Sequence, residues 1–369
     1  MRQRLQRITL RGFKSIRDLT DFDPGSLTVL IGPNGAGKSN FISFFRLLSW
    51  SLASPGNLQV HVGQLGGAGA LLHDGPDRTR EIESEISLVT EAGRNDYAFR
   101  LVFAAGDTLI YADEKYRFSK PEFTSPARWK GLGAGHREAM LIAKADDDDK
   151  TAKTILALLR RIILYQFHNT STTARIRGKW DKDDGRWLKE DGGNLAPFLY
   201  RLKMLEPLSY QRIVDNVRLI LPFFADFELE PEYNSILLQW KEQNSDRIFG
   251  AHQAADGMLR VMALVTLLLQ PERDLPDVLI LDEPELGLHP YAVGVVGGLI
   301  RSVATQVQVI VATQSVPLID CFQPDDIVVV DRVGRESKFN RLTLNRLTEW
   351  LEDYSLSELW EKNVIGGRP

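Results

Sequence analysis

Two groups of residues in this 369-residue chain have the types and spacing for phosphate chemistry. The first is Gly32-Pro33-Asn34-Gly35-Ala36-Gly37-Lys38-Ser39, which reads G-x-x-x-x-G-K-S. Its glycines let successive backbone N–H groups wrap a phosphate, and a following helix adds the partial positive charge of its N-terminus. Lys38 is placed to reach the outer phosphates of a nucleoside triphosphate, and the Ser39 hydroxyl to hold Mg²⁺. The second group is Asp282-Glu283, directly after the apolar run Val278-Leu279-Ile280-Leu281. An aspartate ending a buried strand can ligate Mg²⁺ directly or through water, while Glu283 can orient water for in-line attack at a γ-phosphate.

Both groups need particular elements around them, and the pattern supplies these. Leu27, Val29 and Ile31 predict a short strand, and Phe41, Ile42, Phe44, Phe45, Leu47 and Leu48 a helix, so the glycine-rich segment is a P-loop in its confirming context. Ala255-Asp256-Gly257 opens an apolar helix from Leu259 to Leu269, and Pro290 suits the first turn of another. Apolar strands are expected at Val278–Leu281, at Val307–Ala312 before Thr313-Gln314-Ser315, and at Ile327–Val330. Strands alternating with helices imply an α/β fold with a mostly parallel sheet and ligands at the strands' carboxyl ends.

Between the two groups the pattern changes. Arg11-Gly12-Phe13-Lys14-Ser15 reads as a turn toward the P-loop strand, and residues 51–79 read as loop. Period-2 segments at 82–88, 97–103 and 109–118 predict an antiparallel meander. Residues 119–151 read as a polar, glycine-rich loop whose acidic run, Asp146 to Asp149, is solvated. Helical spacing returns from Leu195 to Leu221, and again from Trp350 through Tyr354 to Trp360. Asp181-Lys182-Asp183-Asp184-Gly185 fails as a calcium loop, because its glycine is one place early and no glutamate closes it.

Composition narrows the class. A net charge of −4 argues against general polyanion binding, so nucleic-acid contact would need a local patch. The lone Cys321 cannot form an internal disulfide and fits a reducing compartment. Residues 1–17 are basic but lack a signal peptide's apolar core, and no uncharged apolar run is long enough to span a bilayer. A soluble cytoplasmic protein without a membrane partner is expected.

The order of motifs resembles the ABC-type ATPase heads, in the branch that contains RecF, the SMC proteins and the OLD-family nucleases. Arg11 to Ser15, Gly32 to Asn40, and Glu285-Leu286-Gly287-Leu288-His289-Pro290 are similar to the OLD-like ATPases in particular. The resemblance implies ATP and Mg²⁺ as ligands, with Lys14, Ser15 and Asn40 joining the P-loop around the nucleotide. It also implies a homodimer, or a higher oligomer, that sandwiches two nucleotides. In it the signature segment of one head, Ala254-Ala255-Asp256-Gly257-Met258, faces the partner's γ-phosphate. Two departures point to slow turnover. Ala255 replaces the usual signature serine, and Gln314 stands at the switch position after the last core strand, where it can donate a hydrogen bond but carry no charge. His289 is expected as an inter-subunit contact. Gln59 and Gln64 are both in range for a γ-phosphate-sensing glutamine, and neither is chosen.

The expected organisation is a nucleotide-binding lobe with P-loop and meander at 1–120, a mixed helical insert at 121–250, a completing core at 251–340, and a helical tail at 341–369. About 40 residues after the last core strand are too few for the TOPRIM domain of OLD nucleases. The implied partner is therefore a separately encoded effector, such as a TOPRIM-like nuclease, in a phage-defence-like or DNA-maintenance system. The alternative is a RecF-like DNA-binding clamp, whose basic groove would use residues 2–17 and Arg175, Arg177 and Lys179. A transporter ATPase fits less well, because the signature and the long insert differ.

Overall fold

In the computed structural model, which describes residues 3–122 and 125–368, the chain divides into two units. One comprises Met1–Leu164, Pro276–Ile280 and Gln323–Pro369, the other Tyr165–Leu275 and Leu281–Phe322.

The first unit begins with a hairpin of β1 (Arg4–Phe13) and β2 (Ile16–Phe22), reversed at Lys14 in a left-handed conformation (φ 48°). The chain thus makes an additional strand where a direct turn toward the P-loop strand was expected. β2 hides from a period-2 reading because its buried residues Ile16 and Leu19 are three apart, and a bulge shifts the β1–β2 register between Ile8 and Leu10. β3 (Leu27–Ile31) is buried at all five positions and leads into α1 (Lys38–Ala53). The stretch read as loop then contains α2 (Asn57–Gln64), started by Gly56 at φ 94° and buried along Leu58, His61 and Val62. His61 stacks on Trp50 at 5.1 Å, and this burial, with Arg46 and Lys14 nearby, lowers its pKa to about 4.

The meander forms as the alternation predicts, with β4 (Glu81–Thr90), β5 (Gly93–Ala104) and β6 (Thr108–Ser119) paired antiparallel. β7 (Lys130–Gly133) extends it, giving the order β2-β1-β4-β5-β6-β7. Phe99 of β5 stacks on Phe44 of α1 at 6.4 Å, and Phe13 of β1 meets the same ring edge-on at 5.9 Å. The apolar face of the meander and the helix after the P-loop therefore share one core. α3 (Met140–Asp146) forms where a polar loop was expected, and α4 (Lys150–Leu159) starts at the end of that stretch, before β8 (Ile162–Tyr165). The acidic run is the turn between these helices. Asp149 caps α4 by accepting from the Ala152 N–H at 2.9 Å, and that bond holds its pKa down at about 2.

The second unit carries β9 (Trp180–Asp181), then the expected helices α5 (Leu195–Leu205) and α6 (Pro207–Ile220), broken at Glu206-Pro207. Short strands follow: β10 (Phe224–Glu228), β11 (Ser235–Ile236), β12 (Gln239–Glu242) and β13 (Ile248–Gly250). α7 (Asp256–Leu269) is buried almost all round and packs on α6 and on α8 (Pro290–Ala304). Between α7 and α8, β14 (Val278–Asp282) leads from the first unit into the second. β15 (Gln308–Ala312) and α9 (Val316–Ile319) complete the second unit.

The chain then returns to the first unit with β16 (Ile327–Val333) and β17 (Glu336–Arg341). β16 pairs parallel with β3, Val328 opposite Leu30, and antiparallel with β17. The tail is less regular than its spacing predicts: α10 (Leu344–Leu347), a 3-10 turn at Trp350–Glu352, and α11 (Leu356–Glu361), started by a Ser355/Glu358 capping box. Leu356, Leu359 and Trp360 are buried, whereas Trp350 is exposed.

The Asp149 cap gives a test of this assignment. Asp149→Ala should destabilise the first unit by about 1 kcal/mol at pH 7. The folded pKa lies below the ordinary 3.8. The wild-type advantage is therefore complete above that value and fades as the pH falls toward about 2. Urea titrations of both proteins at pH 7 and at pH 3 would show the gap narrowing, and a gap independent of pH would remove the cap.

Candidate nucleotide-binding site

In the first unit, the P-loop leaves the buried end of β3 and turns into α1 with three glycines in left-handed conformations: Gly32 (φ 148°), Gly35 (φ 76°) and Gly37 (φ 118°). Two of them have no room for a side chain. A Cβ on Gly32 would lie 2.1 Å from the Val330 carbonyl oxygen, and one on Gly37 would lie 1.9 Å from Ser337 Oγ. Ala36 N–H closes the loop on Pro33 O at 3.2 Å, and Phe41 N–H starts the helical ladder on Gly37 O. α1 begins with no side-chain cap and no acid in its first turn, an electrostatic setting that suits an anion. The Lys38 ammonium is buried and donates to Gly32 O at 2.5 Å and Pro33 O at 3.1 Å, while Ser39 is exposed beside it.

The loop is held from below by residues far away in sequence. Ser337 Oγ of β17 donates to Ala36 O and lies 2.7 Å from Ser15 Oγ, its N–H donates to Ser15 O at 2.8 Å, and Asn40 Nδ2 donates to Ser15 Oγ at 2.7 Å. Ser15 and Asn40 thus sit under the loop as supports. Lys14 points along α1 instead, its ammonium on Ser43 Oγ at 3.0 Å, and burial lowers its pKa. Asn34 and Gly35 are exposed at the rim, where Arg332 reaches Gly35 O at 3.4 Å.

In the second unit, Asp282 and Glu283 diverge at the end of β14. Asp282 is buried, and Gln166 Nε2 donates to its Oδ2 while His168 Nε2 lies 2.9 Å from its carbonyl oxygen. Glu283 takes φ 44°, a strained value for a residue with a side chain, and its N–H donates to Ala312 O at 2.8 Å. Gln314 Nε2 then donates to Glu283 Oε1 at 2.7 Å. The Gln314 backbone and Thr313 Oγ1 both donate to Glu285, whose burial raises its carboxyl pKa. A cavity lined by His168, Arg260, Asp282 and Glu283 lies in this unit.

The signature segment is organised by two arginines that the pattern left unassigned or misassigned. Arg177 is buried and donates to Thr170 O, Ala251 O, Ala254 O and, at 2.9 Å, Asp256 Oδ1. Arg260, one turn into α7, donates to Phe167 O, His168 O and Leu286 O. A Cβ on Gly257 would stand 2.8 Å from Gly287 O, so the signature glycine lies directly against the 285–290 loop. His289 caps α8 by accepting from the Tyr291 N–H at 3.3 Å.

Two expectations are corrected here. Gln59 lies in a helix, not a loop, and ties α2 to Leu109 O and Arg137 O at 2.8 Å each; Gln64, also in α2, is exposed. The glutamine bonded to the strand-end aspartate is Gln166, and its signal was available: a polar residue just after the apolar run of β8, placed as Asp282 is after β14. The cations named for a basic groove mostly have partners within the chain. Arg177 is buried in carbonyl contacts, Arg175 pairs with Asp191, and Lys179 pairs with Glu232. Arg4, Arg7, Arg11 and Arg17 pair with Asp23, Asp21, Asp18 and Glu336, and Arg2 lies outside the described residues.

Comparison with known proteins gives the same picture. A 51-residue stretch is 47% identical to the chromosome partition protein Smc of Rhodopirellula baltica, spanning 14% of this chain and 4% of that protein. An Smc head bound to the C-terminal winged-helix domain of ScpA superposes with a TM-score of 0.62 at 16% identity, covering 94% of this chain and 99% of that one. An Smc head with an extended coiled coil, bound to the C-terminal domain of ScpA derived from Pyrococcus furiosus, gives 0.59 at 16% identity, covering 95% and 99%. The fold is that of these Smc ATPase heads, α/β with an antiparallel meander beside parallel strands. The family described as "AAA domain, putative AbiEii toxin, Type IV TA system" matches residues 27–320, most of the chain, and the chain belongs to it.

Proposed function

We propose that this protein binds ATP, hydrolyses it slowly, and uses the bound nucleotide to pair with a second copy of itself and control a separately encoded effector protein. The observation that carries this is the division of labour at the end of β14: Gln166 holds Asp282 and Gln314 holds Glu283. Each unit carries its own half of the nucleotide signature. In the first, the glycine cradle and the Lys38 ammonium suit a phosphate chain. Ser39 in that unit and Asp282 in the other offer hard oxygen atoms, the donor type that Mg²⁺ prefers. When bound, Mg²⁺ supplies charge neutralisation at the outer phosphates.

The protein's own residues then do the following. Lys38 offsets phosphate charge, and Glu283 orients the attacking water with the oxygen that Gln314 leaves open. Gln166 holds the Asp282 carboxylate in place. Gln314 replaces a residue that could be cationic, so it stabilises no developing charge beyond a hydrogen bond, which keeps turnover slow. The exposed Ala255 and Asp256 at the uncapped start of α7 present backbone donors to the nucleotide of a second copy. A protein partner fits the Smc heads bound to ScpA domains and a family description that names a toxin–antitoxin system. A nuclease effector in a phage-defence-like system is the specific form of this reading.

Three measurements test it. Lys38→Ala should weaken ATP binding by 100-fold or more, on the order of a buried charge-assisted contact, with an unchanged far-ultraviolet spectrum; calorimetric titration would show it, and wild-type affinity in the folded variant would sink the assignment. Glu283→Gln should bind ATP normally but turn over at least about 100-fold more slowly, and it should sediment as a dimer with Mg²⁺-ATP. Undiminished turnover would exclude Glu283 from the chemistry. Arg177→Ala separates the signature segment from the P-loop: it should leave ATP binding by the monomer within twofold while abolishing ATP-dependent dimerisation. An intact dimer would show that Arg177 does not shape the signature.

A further inference from the structure

The tail beyond α11 ends against the P-loop. Trp360 is fully buried, and its indole N–H donates to Gly367 O. Gly367 N–H donates to Asp331 Oδ1 of β16 at 2.9 Å. Both Gly366 (φ 81°) and Gly367 (φ 62°) are left-handed, so the turn brings backbone, without side chains, onto the strand below. A Cβ on Gly367 would stand 2.5 Å from Val329 Cγ1 and 3.4 Å from Gly32 Cα. Gly32 is the first residue of the P-loop, and on another side it is pressed against Val330 O.

We infer that the Gly366–Gly367 turn is a positioning element of the nucleotide site, a rear wall that fixes Gly32. The chain of contacts is short. Trp360 and Asp331 hold the turn, the turn backs Gly32, and the Gly32 carbonyl accepts from the Lys38 ammonium at 2.5 Å. Gly32 sits at φ 148°, a conformation open to glycine, which leaves its Cα bare for the turn to press against. Withdrawing the wall lets Gly32 relax, moves the carbonyl that aims Lys38, and lowers affinity for the phosphate chain. The segment that the sequence marks as an aromatic tail then has a function at the nucleotide, in addition to its packing.

This inference rests on the ATP-binding reading, and the test keeps the two apart. Calorimetric titration of the full chain with Mg²⁺-ATP would compare wild type, Trp360→Phe, Asp331→Ala and Leu356→Ala. Trp360→Phe keeps an aromatic ring but loses the N–H to Gly367, and Asp331→Ala, at a half-exposed position, leaves the buried Gly367 N–H without its acceptor. Each should raise the Kd about fivefold, the factor carried by one lost hydrogen bond, and also lower the urea midpoint, because Trp360 and Gly367 are both buried. Leu356→Ala loosens the same helix without touching the turn, so it should lower the urea midpoint and leave the Kd within twofold. Wild-type affinity in Asp331→Ala would overturn the inference. So would a Kd in folded Leu356→Ala raised as far as in Trp360→Phe, because the tail would then act only through stability. A wild-type protein that binds ATP no better than Lys38→Ala would overturn the underlying reading, and this inference with it.

Discussion

A phosphate-binding loop needs backbone N–H groups turned inward, and the first unit achieves this by leaving no space where two side chains would otherwise be. Gly32 is closed off by Val330 O and Gly37 by Ser337 Oγ, so neither can carry a Cβ without displacing β16 or β17. The consequence for the chain path is large. β16 and β17 lie about 300 residues beyond the loop in sequence, yet they supply the parallel partner of β3, the serine beneath Ala36 and the arginine at Gly35. The first unit therefore has to be discontinuous. Its last segment must return to the loop, and the Gly366–Gly367 turn extends the same logic by one more layer.

The second unit solves a related problem with buried cations. Segment 166–171 runs from Asp282, which it contacts through Gln166 and His168, to the start of α7, which it contacts through Arg177 and Arg260. A guanidinium withdrawn from water is tolerated only when its donors are satisfied, and here six carbonyl oxygens and one carboxylate oxygen satisfy most of those of the buried Arg177 and the half-buried Arg260 in fixed directions. Removing one of the acceptors of Arg177 would leave an unpaired buried N–H, so these contacts fix the segment before the signature against the start of α7.

What could be read in advance divides along the range of the interactions. The P-loop, the Asp282-Glu283 pair and the meander were legible because their signals are local: a fixed glycine spacing, acids after an apolar run, and strict alternation. β2 was not, because a bulge breaks its period, and α2 was not, because three buried residues in eight make a weak helical signal. Ser337 and Arg177 were beyond local reading for a different reason. Their roles are set by partners 322 and 79 residues away, Ser15 and Asp256, and neither type nor spacing points there. Gln166 lies between these cases, since it obeys the strand-end rule that found Asp282. The tail shows the limit of periodicity. Its apolar spacing continues through a 3-10 turn, and only the capping box at Ser355 and Glu358 locates the helix that buries Trp360.

The distribution of charge bears on the kind of surface the β1–β2 edge can meet. A duplex-binding surface draws its affinity from cations free to replace counterions on phosphates. Along β1 and the following hairpin, Arg4, Arg7, Arg11 and Arg17 each face a carboxylate of the same unit, and Arg11 faces two, Asp18 and Glu83. Exposed pairs of this kind contribute about 0–1 kcal/mol each to stability. Their larger effect is on the field, because every arginine potential is cancelled within a few ångströms. A polyanion approaching this edge meets a surface of alternating sign and would have to displace four or more acids to gain its contacts. A folded protein surface with its own alternating charges meets no such penalty, and alternation of sign gives it register. On this edge the electrostatics favour a protein partner over a nucleic acid, which is the side on which the ATP-controlled effector reading falls.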